Sequence, residues 1–224
     1  MSSDEIWKVF PTIIQTSVLD SDFTEEEKNC IQEYKKESSL AVCNNVTYDS
    51  FVLNNPKLSR IKNFVKDKIN SYLRNIISPT SNNNQIYITE SWISTSKPGH
   101  SHHEHHHANS FLSGVMYLET IEENVIIFTN PNSQLFHFQQ NHNEYNYRQA
   151  YFKTKKGTLL LFPSHIKHRV PTNKSDKDRV SLAFNTFVKG EINNLNFTQL
   201  TIWNQEVLRN YKWKCYKNMF PKIY

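Results

Sequence analysis

The chain has 224 residues, 38% of them hydrophobic and 13% aromatic, and a formal charge of +5 at pH 7. That composition excludes a disordered chain and suits one domain, or one domain with an appendage. Only four glycines argue against a glycine-rich phosphate loop, and three scattered cysteines (Cys30, Cys43, Cys215) argue against a disulfide framework.

Nothing resembles a signal peptide, and no apolar run approaches the length of a bilayer. The expectation is a soluble, cytoplasmic protein without a membrane partner. Its moderate positive charge permits an acidic partner without requiring one.

In chain order, residues 7–19 are rich in β-branched side chains and predict an opening strand. Thr24 and Glu27 stand at capping-box spacing ahead of Cys30, Ile31 and Tyr34, which predicts a short helix. Asn55-Pro56 marks a second helix start, followed by Leu58, Ile61, Phe64, Val65, Ile69, Tyr72 and Ile76 at helical spacing. Residues 78–85 read as a polar loop.

From Ile86 the pattern changes to strands. They are expected over 86–95, 111–118, 124–130, 149–155, 157–163 and 179–188, with a polar hairpin region around 139–149. Helices followed by about seven short strands predict a mainly β fold, a sandwich with helical support. The domain is expected to span 1–190.

Residues 191–224 form a separate basic, aromatic extension. There Arg209, Lys212, Lys214, Lys217 and Lys222 alternate with Tyr211, Trp213, Tyr216 and Phe220, without an acidic residue. Such a mixture can bind nucleic acid. More commonly the aromatics dock on the domain while the lysines stay wet.

Six of the ten histidines fall between His100 and His107, just before a strand. An expression tag or a polar surface loop would be the plain explanation. However, the cluster is internal, interrupted by Glu104, and followed by core sequence. Imidazoles crowded at the mouth of a strand suit a transition metal. On a strand, residues two apart share a face, so His100/His102, His103/His105 and His105/His107 could each supply a pair. The third ligand would come from His137, His142, His165 or His168; spacing alone does not choose.

Three blocks, SWISTSKPGHSHHEHHHANSFLSGVMYL, KKGTLLLFPSHIKHRVPTN and RVSLAFNT, resemble the 2-oxoglutarate/Fe(II)-dependent oxygenase family found in phages and marine bacteria. The resemblance runs from about Val9 to Val188, roughly four-fifths of the chain. It implies a double-stranded β-helix core of the jelly-roll or cupin-like kind, braced by helices. The activity implied is a dioxygenase that uses dioxygen and 2-oxoglutarate to oxidise a prime substrate, releasing succinate and carbon dioxide. A phage protein would work in the cytoplasm of an infected host.

Carried over residue by residue, the family pattern assigns His105, His107 and His168 to Fe(II). It assigns Arg179 to the distal carboxylate of 2-oxoglutarate, with Ser181 and Asn109 beside the cosubstrate. Two departures stand out. Ser94 occupies a position where the family strand has asparagine, and the wider superfamily uses two histidines and one carboxylate. His102 with Glu104 and His168 would restore that carboxylate and is the alternative ligand set. Pocket walls are expected from Tyr87, Trp92, Tyr117, Phe128 and Asn185.

Two other readings share the fold. Gly99, His105, His107, Gly157, Pro163 and His168 also resemble the two cupin motifs, which would make a three-histidine dioxygenase without 2-oxoglutarate. The cupin glutamate after His107 is missing, and a plain cupin has no need of Arg179 and Ser181. The remaining reading is a non-catalytic, metal-holding jelly-roll module.

Overall fold

The computed structural model describes residues 5–7, 9–132, 141, 143, 145–192 and 200–202. After β1 (Gln15–Val18) comes α1 (Glu25–Lys36). Its capping box forms as predicted: the Glu27 N–H donates to Thr24 Oγ1 (3.2 Å), and the Thr24 N–H donates to the Glu27 carboxylate (2.8 Å). A short hairpin follows, β2 (Ser38–Leu40) and β3 (Asn45–Thr47).

Asn55 Oδ1 accepts from the Lys57 N–H and opens a 3-10 turn that leads into α2 (Ser59–Tyr72). The remaining strands are β4 (Gln85–Ser96), β5 (His102–His105), β6 (Leu112–Glu119), β7 (Val125–Thr129), β8 (Gln149–Lys153), β9 (Thr158–Pro163), β10 (His168–Val170), β11 (Arg179–Ile192) and β12 (Leu200–Ile202).

The strands pair antiparallel in two sheets. The larger runs β1-β9-β6-β11-β4-β3-β2, with β12 on β11; the smaller runs β5-β10-β7-β8. Tyr117, Ile126, Phe128, Leu160, Phe162 and Ile166 fill the space between them. On the other face of the larger sheet, α2 buries Ile61, Val65 and Ile69 against Ile93, Met116, Leu182 and Phe184. Each of these buried side chains contributes roughly 1.5–3 kcal/mol. The result is a double-stranded β-helix braced by helices, as expected.

Several details differ from the sequence reading. The opening strand shrinks to Gln15–Val18, because Phe10 takes φ 60° just before Pro11 and Ile6, Trp7, Val9 and Phe10 stay exposed. The β2–β3 hairpin, β5 and β10 are only three or four residues each, too short for alternation to reveal them. Of the polar hairpin region around 139–149, only Asn141, Asn143 and residues 145–149 are described. His137, His142 and the extension beyond Ile202 lie outside the described residues. Among the described residues, no helix is long and apolar enough to cross a membrane.

Two β-bulges decide which side chains reach which face. On β4 the register slips opposite Asn185/Thr186, so Ile86 and Ile88 join Ile93 in the helix-covered core. Unbroken alternation would have put them on the opposite face. On β5, His168 pairs with His105 but Val170 pairs with His102, so three steps on β5 match two on β10.

Candidate functional site

Three cross-strand rows of the larger sheet floor a cavity between the sheets. In register they are Ser96–Arg179, then Ser94–Ser181–Tyr117, then Trp92–Ala183–Val115. The period-two alternation of β4, β6 and β11 brings these residues to one face. The opposite wall carries His102, His105, His168, Val170 and Ile126, with His107, Phe162 and Asn44 at the sides.

The ligating atoms of His105, His107 and His168 lie within 4.8 Å of one another. His105 ends β5 and is paired with His168 on β10, so the ladder itself holds these two rings together. His107 lies just beyond the strand, held there by its N–H donating to the Ser164 carbonyl (2.9 Å). Gly99, at φ 83°, turns the chain from β4 toward β5. Buried Asn173 ties that turn down, donating to the Ser96 and Lys177 carbonyls while its backbone pairs with Gly99 and His100.

The chemistry of the three rings suits a metal. His105 Nδ1 lies 2.8 Å from the His103 carbonyl, and His168 Nδ1 lies 3.1 Å from the Ile166 carbonyl. A carbonyl only accepts, so each Nδ1 carries the proton and each Nε2 keeps a free lone pair. Burial holds the His107 imidazole down at about 4 and that of His168 at about 3, with neighbouring imidazoles adding to the effect. Burial lowers His105 as well. All three rings are therefore neutral at pH 7 and able to ligate.

His102 also faces the cavity. The β5 bulge turns it to the same side as His105, and the two rings stack 4.3 Å apart. Simple alternation would have paired His102 with Glu104 instead. Glu104 is exposed, accepts a hydrogen bond from Thr129, and does not line the cavity. The structure therefore does not assemble the carboxylate-containing alternative.

At the other end of the cavity, Arg179 is buried. Both its terminal nitrogens share one weak acceptor, the Pro171 carbonyl, at 3.4 Å. Among the described residues no carboxylate pairs with it, and burial lowers its pKa. The Tyr117 hydroxyl is buried and, among the described residues, has no hydrogen-bond partner at full geometry, the Thr154 hydroxyl being the nearby group. Burial pushes this phenol well up, against the nearby Thr154 hydroxyl and the Arg179 charge. A buried cation without an anion is costly, and an orphaned hydroxyl beside it adds to that cost. Both donors would be satisfied by a carboxylate from outside.

Asn109 does not line the cavity; it is exposed in a turn at φ 57°, a left-handed conformation that asparagine tolerates. Ser110, Ser113 and Ser164 form a buried cluster, with Oγ–Oγ distances of 2.8 Å, which ties β6 to β9. Ser113 also donates to Asn185 (2.7 Å), and Asn185 donates to Glu90 (2.7 Å). Where asparagine was expected at 94, Asn44 supplies a carboxamide to the cavity and donates to Ser94. Trp92 and Tyr117 are cavity walls as expected. Tyr87, Phe128 and Asn185 are not.

Residues 90–185 match a family model described as "Putative 2OG-Fe(II) oxygenase". No curated protein matches the chain. Solved structures share its fold at low identity. A 2OG-Fe(II) oxygenase family oxidoreductase from Burkholderia pseudomallei is 15% identical, over 76% of this chain and 83% of that one, with a TM-score of 0.52. HygX from Streptomyces hygroscopicus, solved with nickel and 2-oxoglutarate, is 12% identical over 78% and 82%, at 0.55. A prolyl hydroxylase from Trichoplax adhaerens, in complex with a hypoxia inducible factor peptide, is 14% identical over 78% and 82%, at 0.54. The matched segment holds the cavity's floor and the three clustered histidines, and the family it matches is described as one of 2OG-Fe(II) oxygenases.

Proposed function

We propose that His105, His107 and His168 hold Fe(II), and that Arg179, Tyr117 and Ser181 seat 2-oxoglutarate. The observation that carries this reading is the pairing of two unmet needs in one cavity. Three neutral imidazoles converge at one end, and a buried guanidinium without a carboxylate waits at the other. A dicarboxylic keto acid that ligates metal with one end and meets Arg179 with the other answers both.

Bound Fe(II) would supply the redox chemistry by which dioxygen and 2-oxoglutarate become succinate and carbon dioxide while one oxygen atom enters the substrate. The chain's own residues do the rest. Arg179 offers a planar fork that meets two carboxylate oxygens, which a lysine cannot do. Tyr117 and Ser181, adjacent in register across β6 and β11, can add hydroxyl donors to the same group. The hydrogen bonds of His105 and His168 to backbone carbonyls fix ring orientation and tautomer. Phe162 and Phe128 pack against His168, at centroid distances of 4.8 and 5.7 Å, and shield it from water.

A third neutral imidazole in place of the superfamily's carboxylate leaves the centre one unit more positive, which favours a dianionic cosubstrate. Arg179 and Ser181, which a plain cupin would not need, favour the 2-oxoglutarate reading over the cupin one. The test is anaerobic addition of Fe(II) and then 2-oxoglutarate to the apoprotein, watching for the visible metal-to-ligand charge-transfer band. The band is expected in the native chain and lost in both His107→Ala and Arg179→Ala. Tight metal binding with no band would overturn the cosubstrate assignment.

A further inference from the structure

A second concavity, a groove of about 810 Å³, lies between α2 and the first half of β4. Lys62, Lys66 and Arg74 line it from the helix side, and Lys189 from the strand side. Among the described residues none of these four cations is in an ion pair; Lys62 donates only to the neutral Asn54 side chain (2.8 Å). Some cations close by in sequence are paired. Arg60 pairs with Glu27, Lys68 with Asp67, and Lys57 with Glu33. The four groove cations are left able to meet an anionic ligand. Among the described residues of the groove wall, one is acidic, Glu90, and Asn185 donates to it.

Lys62, Lys66 and Arg74 follow at intervals of four and eight residues, with Asn70 between them. Lys62 and Lys66 sit one turn apart on α2, with about 6 Å of rise between them, and Arg74 follows in the π-helical turn Leu73–Ile77 that continues the helix. Like charges four residues apart, as Lys62 and Lys66 are, slightly destabilise a helix, and an anion bound beside them would relieve that. Two aromatic rings share the groove, Phe51 at 55% and Tyr87 at 41% exposure. The β4 bulge turns Tyr87 onto the sheet face that carries Trp92.

We propose that this groove binds single-stranded nucleic acid, with the four cations on successive phosphates and Phe51 and Tyr87 stacking on bases. A row of unpaired cations beside exposed aromatic faces is what a sequence-tolerant single-strand site needs. An acidic peptide would use the charges but leave both rings without a planar partner. The C-terminal extension of this chain is itself basic, so it is a poor occupant. The site stands independently of the oxygenase assignment.

The test is fluorescence polarisation of the full chain with a labelled oligothymidylate of about 16 nucleotides. The comparison ligand is a glutamate peptide of matched charge. Four phosphate contacts predict a slope of log affinity against log salt of about −3. The double variant Lys66→Glu/Arg74→Glu should weaken binding tenfold or more and flatten the slope, whereas Lys68→Glu on the same helix should change it by about twofold or less. The thermal unfolding midpoint should be unchanged in both variants, which reports an intact fold whether or not the oxygenase assignment holds.

Absence of saturable binding would overturn the proposal. So would binding lost in Lys212→Gln/Lys214→Gln/Lys217→Gln but kept in the groove variant, since the extension would then be the binder. Equal, groove-dependent binding of the glutamate peptide would assign the groove to acidic peptides instead.

Discussion

His102 and His105 stack with their ring centroids 4.3 Å apart, although their positions lie three residues apart along the strand. The β5 bulge is the cause, and it leaves the cavity with four histidines, of which three share a focus. The metal should therefore discriminate among them. His105→Ala, His107→Ala and His168→Ala should each lower Fe(II) or Co(II) affinity by at least a hundredfold, about 3 kcal/mol. His102→Ala should retain metal within a few-fold. Anaerobic titration reads this directly, and an equal loss at His102 would move the centre.

Arg179 predicts opposite effects on stability and on binding. Replacing it with methionine removes a buried charge that has no anionic partner among the described residues, so the apoprotein should gain stability, by about 1 kcal/mol or more. The same change should weaken 2-oxoglutarate by about a hundredfold, through loss of a charged, two-point contact. Thermal melts with and without the keto acid separate the two effects. The native chain should be stabilised by ligand, and the variant should not.

Much of this architecture was legible in the sequence. The capping box, the Asn55 cap, the apolar row of α2 and the six later strands all follow from local pattern. Arg179 and Ser181 reach one cavity because strand alternation carries them there, His105 and His168 because β5 and β10 pair, and His107 because its N–H is held by the Ser164 carbonyl. What escaped depended on ladder register. Neither bulge leaves a mark in composition, so the placement of His102, Glu104 and Tyr87 could be read only from pairing. Asn109 was assigned to the cosubstrate by resemblance, whereas its backbone conformation accounts for it as a turn residue. Asn44 comes from the four-residue β2–β3 loop, which has no periodicity, and nothing local connects it to Ser94.

Gly114 shows how a motif residue can serve packing rather than chemistry. It pairs with Phe184 across β6 and β11, and a Cβ there would sit 2.1 Å from the ring's Cζ. Phe184 is fully buried and cannot retreat. Gly114→Ala should therefore cost about 3 kcal/mol in urea unfolding. Adding Phe184→Leu should recover part of that loss, because the larger ring is what the methyl meets. A double mutant no better than the sum of its parts would argue against this contact.

Glu27 links folding to pH. Burial alone would raise its pKa, but hydrogen bonds from Arg60 and from the Thr24 backbone N–H, together with the Arg60 charge, outweigh burial and hold the carboxyl below its ordinary value. The folded-state pKa is thus lower than the unfolded one. Glu27 then contributes stability that is fully present above the unfolded value near 4.5 and is lost as pH falls through the folded value. Glu27→Gln keeps an amide oxygen able to accept the Thr24 N–H but removes the charge opposite Arg60. It should cost about 1–2 kcal/mol at pH 7. The gap between variant and native chain should narrow steadily in urea melts below pH 4.5, as the native carboxyl takes up its proton. A gap that stayed constant with pH would mean that cap geometry, rather than charge, is what Glu27 provides.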